Sequence, residues 1–279
     1  VPPLTLRAAT PAAWLDAYLP PADGLRIVTV DELLTELEAI HLRLRDQGTP
    51  RRAAAKYLAA WYGGAAATSI GLAWAGAEAG FALDGGLRWQ VGSEAWPERV
   101  ELGPATAVVA PGHPWSEQAG TETVADVEER RALTVGTLAD AFRPVNDALS
   151  ELGGVGAGAL WSEVGDGFGG SLQYQTAIPV TAERVAALEG LAGAEPAPWR
   201  AQPSIWTVDV PHGTVCVMQK AGCCLAYTEA ENGQVEDEDS RLFAERFQEP
   251  PDAPRYCLNC RHRSRADCEA RQVWWSARS

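Results

Sequence analysis

Apolar side chains recur at Val30, Leu33, Leu34, Leu37, Ile40 and Leu44, a spacing of three and four that lines one face of a helix. Thr29 precedes this run with Glu32 three residues on, the signature of a capping box. Thr49-Pro50 opens a second helix, with proline as its first helical residue. That helix runs through Tyr57 and Trp61 into a Gly63-Gly64 step. The period then changes to two. After a turn at Asp84-Gly85-Gly86, the apolar residues Leu87, Trp89 and Val91 alternate with Arg88 and Gln90, which predicts a strand. Two more short strands are expected over 100–102 and 106–110, completing a small antiparallel sheet, with 111–122 as loop. Helical spacing returns over 124–152, with a break expected near Gly136 or Pro144. It continues over 156–175 and over 181–191, where Gly193 stops it. Residues 204–210 and 214–218 read as a hairpin around Pro211-His212-Gly213. The fold class is therefore α+β. A mostly helical part with a small antiparallel sheet covers 1–200, and a hairpin-and-loop part covers 201–279. Pro196, Pro198 and Pro203 mark the join.

Composition narrows the picture. Of 279 residues, 46% are apolar, ample for a core, and the net charge is −14. Binding of nucleic acid in bulk needs a positive surface, so that class is excluded. An acidic surface favours neutral or cationic ligands. Residues 57–77 carry no charge and are long enough to span a bilayer. Gly63, Gly64, Gly71, Gly76, Thr68 and Ser69 make them only mildly hydrophobic, so the reading is a Gly-kinked core helix and no integral membrane segment. Residues 229–252 hold nine acidic side chains against Arg241 and Arg246. They read as a solvated loop with a short helix near 241–247. The tail reverses this sign, with six arginines from Arg255 onward facing only Asp267 and Glu269.

Cysteine spacing carries the chemistry. Cys223-Cys224 and Cys257-Leu258-Asn259-Cys260 place four thiols in the last quarter of the chain. Four thiolates hold either an iron–sulfur cluster or zinc. Adjacent cysteines bridge each other poorly, because their Cα atoms are only about 3.8 Å apart. Zinc modules ordinarily use two separated pairs, so this arrangement leans toward iron–sulfur. Clustered thiols without a leader-like start predict a reducing compartment, the cytoplasm. Lys220, Arg261 and Arg263 lie within a few residues of the thiols. Positive charge there would stabilise a reduced cluster and raise its potential. Cys268 is expected beside the site without ligating, and Cys216 as a small buried hydrophobe. The sequence holds no Ser-His-Asp arrangement, phosphate-cradling loop or dinucleotide fingerprint. Electrons would therefore come from another protein or a diffusible reductant.

Gly222-Cys223-Cys224-Leu225-Ala226-Tyr227, followed by Tyr256-Cys257-Leu258-Asn259-Cys260, resembles the C-terminal [2Fe–2S] motif of the FhuF family of cytoplasmic ferric-siderophore reductases. The four cysteines match one to one, although 32 residues separate Cys224 from Cys257 where the family has a much shorter spacer. Segments around Leu87-Arg88-Trp89 and Leu160-Trp161-Ser162-Glu163-Val164 are similar too, with Trp161-Ser162-Glu163 standing where the family has Trp-Gly-Asn. The resemblance implies a [2Fe–2S] cluster on Cys223, Cys224, Cys257 and Cys260 in a C-terminal module. It also implies one-electron reduction of Fe(III) in a siderophore, with hydroxamate as the expected type, on a helical substrate platform. A pocket for such a chelate wants rigid aromatic walls, for which Trp61, Trp89 and Trp161 are the candidates. The rival reading is a zinc-stabilised, non-enzymatic protein of siderophore binding or biosynthesis.

Overall fold

A computed structural model describes residues 25–84, 86–92, 97–102, 105–173, 178–211, 213–223, 225, 246–248 and 256–277. Its described elements are α+β. Strand β1 (Arg26–Thr29) leads directly into helix α1 (Val30–Asp46), whose capping box is present in full: Thr29 Oγ1 accepts from the Glu32 N–H, and the Glu32 carboxylate accepts from the Thr29 N–H. Pro50 is the N-cap of α2 (Arg51–Leu58) rather than its first residue. The chain then passes without a break through a π-helical turn (Ala59–Gly64) into α3 (Ala65–Ala77). The expected glycine kink is thus a widened turn within one continuous rod. No helix among the described residues is long and apolar enough to cross a membrane.

Two small sheets follow. Strands β3 (Leu87–Val91) and β4 (Pro97–Leu102) pair antiparallel, with β1 on the other side of β3. Strands β2 (Gly80–Leu83) and β5 (Ala105–Val109) pair antiparallel, and β6 (Thr121–Thr123) adds parallel to β5. The single antiparallel sheet expected from sequence is therefore two, and the stretch expected as loop over 111–122 ends in a strand. Helix α4 (Val127–Gly153) runs unbroken through both Gly136 and Pro144. Proline removes one helical hydrogen bond, but Pro144 is exposed and so is Asp140, whose carbonyl loses its partner. Water can satisfy that carbonyl, while Val135, Leu138, Phe142, Val145 and Leu149 keep the buried stripe intact.

Helices α5 (Ala157–Gln173) and α6 (Ala182–Ala192) complete the helical layer. Helix α5 lies so close to the π turn and the start of α3 that a Cβ on Gly167 would overlap the Gly64 carbonyl. Strands β7 (Ser204–Val210) and β8 (Gly213–Gln219) form the expected hairpin. It shares a core with the helices: Ile205 and Cys216 pack with Leu172, Val185 and Leu188. Burial pushes the Cys216 thiol up to about 12. Helix α7 (Arg265–Ser276) closes the described chain, capped by Ser264, in a stretch that reads from sequence as a charged tail.

Candidate functional site

Strand β8 delivers the chain to a loop that begins at Lys220. The Lys220 N–H donates to the Asn259 carbonyl at 2.9 Å, so this loop lies against the Cys257-to-Cys260 turn. That turn is closed by its own bond from the Cys260 N–H to the Cys257 carbonyl, at 3.1 Å. The cysteine segments, 34 residues apart between Cys223 and Cys257 in the sequence, are thus neighbours. Cys223 and Cys257 are half-buried and Cys260 is buried. Leu225 has φ 63, a left-handed conformation uncommon for a side chain of this kind, which turns the backbone sharply just past the cysteine pair. Cys224 and most of the acidic stretch 229–252 lie outside the described residues.

Soft thiolates on two adjoining loops suit a thiophilic metal centre. Among the described residues, however, no three His, Cys, Asp or Glu side chains are gathered closely enough to hold a metal ion. The four-thiolate set expected from sequence includes Cys224. Cys268 is buried on α7, and burial pushes its thiol up to about 11. His262 stacks on Tyr256 with ring centroids 5.4 Å apart.

Two of the basic residues singled out from sequence, Arg261 and Arg263, reach the cysteine loops through backbone carbonyls. Arg261 Nη1 donates to the Ala221 carbonyl at 2.9 Å. Arg263 is buried, donating from Nε to the Cys257 carbonyl at 2.9 Å and from Nη2 to the Tyr256 carbonyl at 2.6 Å. Its remaining edge pairs with Asp267 at 2.9 Å.

Beside the loops lies a cleft of about 490 Å³. Trp61 and Gly64 of the π turn, Thr68 of α3, Glu163 and Asp166 of α5, and Lys220 are among its lining residues. Trp61 is therefore placed where a ligand could meet it. Trp89 and Trp161 are not. Trp89 is fully buried and donates its indole N–H to the Tyr62 carbonyl at 3.0 Å. Trp161 is buried edge-on against Phe142. Their burial makes both tryptophans core residues instead of pocket walls.

Sequence reasoning missed the polar face of α5. Glu163, Asp166 and Gln173 are separated by three and seven residues, which puts them on one side of the helix. Glu163 is wholly buried and ion-paired with buried Lys56 at 2.8 Å. The Asp166 carboxylate accepts the Ala221 N–H at 2.7 Å and the Gly222 N–H at 3.0 Å. Burial, then the nearby Glu163 charge, raises the Asp166 carboxyl to about 7, although Lys220 and the two backbone bonds pull the other way. Gln173 accepts from the Asn259 side chain at 3.2 Å. Two acids and a glutamine in line, on a helix otherwise made mostly of glycine, alanine and large apolar residues, were the available signal.

Comparison of the chain with protein families, curated proteins and solved structures finds no match.

Proposed function

We propose that this protein is a ferric-siderophore reductase whose Cys223, Cys224, Cys257 and Cys260 hold a [2Fe–2S] cluster. The observation that supports the reading most is the bond between the Lys220 N–H and the Asn259 carbonyl, which brings the loop of Cys223 against the turn of Cys257 and Cys260 beside an open cleft. The resemblance of both cysteine segments to the reductase motif supplies the rest. When bound, such a cluster supplies single electrons. The chain's own part is to seat the chelate in the cleft against Trp61, next to the cysteine loops. Short separation between donor and acceptor, not acid–base chemistry, is the requirement on the site. The substrate Fe(III), held by hard oxygen ligands, leaves as weakly held Fe(II) once reduced. Half-buried Thr68, Ser69 and Lys220 in the cleft lining give it polar groups to orient a neutral or cationic oxygen-rich chelate.

The test is stopped-flow reoxidation. Protein reduced with dithionite and freed of excess reductant should lose its reduced signal on mixing with a ferric hydroxamate, and a ferrous chelator should capture the iron. Trp61→Ala should weaken chelate binding by about tenfold, in the range for losing one aromatic anchor. Reduced protein that stays reduced with every ferric chelate would refute the reading.

A further inference from the structure

Each cysteine loop is held by a buried ionisable side chain acting on its backbone. On the first loop, Asp166 is 4% exposed and takes both the Ala221 and Gly222 N–H groups. Gly222 is seated so tightly on the acids that a Cβ there would lie 2.6 Å from Glu163 Oε1. On the second, the Arg263 side chain is 5% exposed, forks onto the Tyr256 and Cys257 carbonyls, and pairs with Asp267. The Arg263 N–H also donates to the Cys260 carbonyl at 3.0 Å. Asp267 in turn accepts from Arg271 at 2.8 Å, which ties the arrangement to α7. A third tie runs from the Asn259 amide to Gln173 and from Gln173 to Gln272 at 2.8 Å. Helix α5 therefore reaches both loops, through Asp166 and Gln173.

None of these bonds uses a cysteine sulfur. Burying two arginines around an aspartate is costly unless the charges are well paired and hydrogen-bonded. The planar fork of arginine meets two carbonyls and a carboxylate from three separate nitrogens, a span that the single nitrogen of a lysine lacks. What that burial provides is a fixed loop. We propose that Asp166 and Arg263 are positioning residues that fix the backbones of the two cysteine loops ahead of any metal, so that binding a metal has only to draw the thiol side chains together and does not fold the loops. The proposal rests on the reading of these cysteines as metal ligands, and it differs from modules in which metal binding and folding are one event.

The test uses the full chain, metal-free, in two measurements. Amide hydrogen exchange is followed by mass spectrometry in peptides covering 219–223 and 256–263, and cobalt(II) alone is titrated while thiolate-to-cobalt absorption is read. The wild type should be protected in both peptides before cobalt is added. Arg263→Lys keeps the charge but loses the fork. It should speed exchange over 256–263 by roughly tenfold, leave 219–223 protected, and lower cobalt affinity by about 10–100-fold with an altered absorption band. Asp166→Asn should do the converse to 219–223. Wild-type loops that exchange at unfolded rates until cobalt arrives would overturn the proposal, whether or not either variant folds. So would unchanged exchange in both variants. Protected loops with no thiolate–cobalt band would instead overturn the metal reading and leave the anchoring in place.

Discussion

Asp166 is where burial and hydrogen bonding oppose each other most directly. Its carboxyl rises from the usual 3.8 to about 7, led by burial and then by Glu163. In the unfolded chain the group ionises near its usual value, so between about pH 4 and pH 7 the native state holds a proton that the unfolded state has lost. The stability this proton binding gives is complete below the lower value and is lost as pH rises through the upper one. Wild type should therefore be more stable relative to Asp166→Asn at pH 5 than at pH 8, by an amount of order a few kcal/mol. Urea midpoints of the pair at both pH values check this. A difference that grows toward pH 8 would mean the carboxylate is favoured by its two N–H donors more than burial disfavours it. Gly222→Ala tests the same contact from the other side. Overlap with Glu163 should cost about 1–3 kcal/mol, read as a lower denaturation midpoint. Among single residues, the cysteines stand out from spacing alone. Asp166 does not, since a lone acid on a helix ordinarily reads as a solvated one, and only tertiary packing buries it. Spacing also puts the arginines near the cysteines, but only as point charges. Arg263 acts by geometry, and its own charge is answered by Asp267 at 2.9 Å.

Among the elements, the approach of α5 to α3 sets where Asp166 and Gln173 stand. Thr68 Oγ1 bonds the Gly167 carbonyl and Ser171 Oγ bonds the Thr68 carbonyl, both at 2.9 Å, which locks the two helices in register. Gly167→Ala would gain about 1 kcal/mol of helix propensity. It would also force the helices apart, because a Cβ there meets Gly64 backbone and lies 2.9 Å from the Ala67 Cβ. Backbone cannot yield as a side-chain tip can, so overpacking of about 1–3 kcal/mol should win. Thermal unfolding should show a net loss, and a more stable variant would contradict this packing. Local signals are enough for α1, whose capping box is complete, and for the hairpin, whose turn residues fix its register. They fail at α4, where Pro144 reads as a break but lies on the solvent side. They fail also at α7, because Arg263, Asp267 and Arg271 recur every four residues and look like an exposed charged stripe. Their mutual pairing is what lets the two arginines be buried.

For the whole molecule, the net charge of −14 acts on whatever approaches the cleft. Cationic ferric chelates should reoxidise the reduced protein faster than anionic ones of similar size, on the order of tenfold at low salt. The gap should shrink as ionic strength rises, since exposed charges are screened over about 8–10 Å. Equal rates at low salt would mean that the acidic surface does not steer the encounter. The hairpin past residue 200 shares its core with α5 and α6, because the inner face of a two-stranded ribbon needs a partner to cover it. That seating is what brings the cysteine loops beside the cleft, and no local pattern in the sequence announces it. Everything proposed for the cleft depends on a cluster held by thiolates. It is probed most directly by the visible and electron paramagnetic resonance spectra of anaerobically purified protein, with iron and sulfide assayed on the same sample. The protein should be red-brown, with iron and sulfide in the equal proportions of a [2Fe–2S] cluster, silent when oxidised and paramagnetic after one-electron reduction. A colourless protein carrying zinc, or no metal at all, would contradict it.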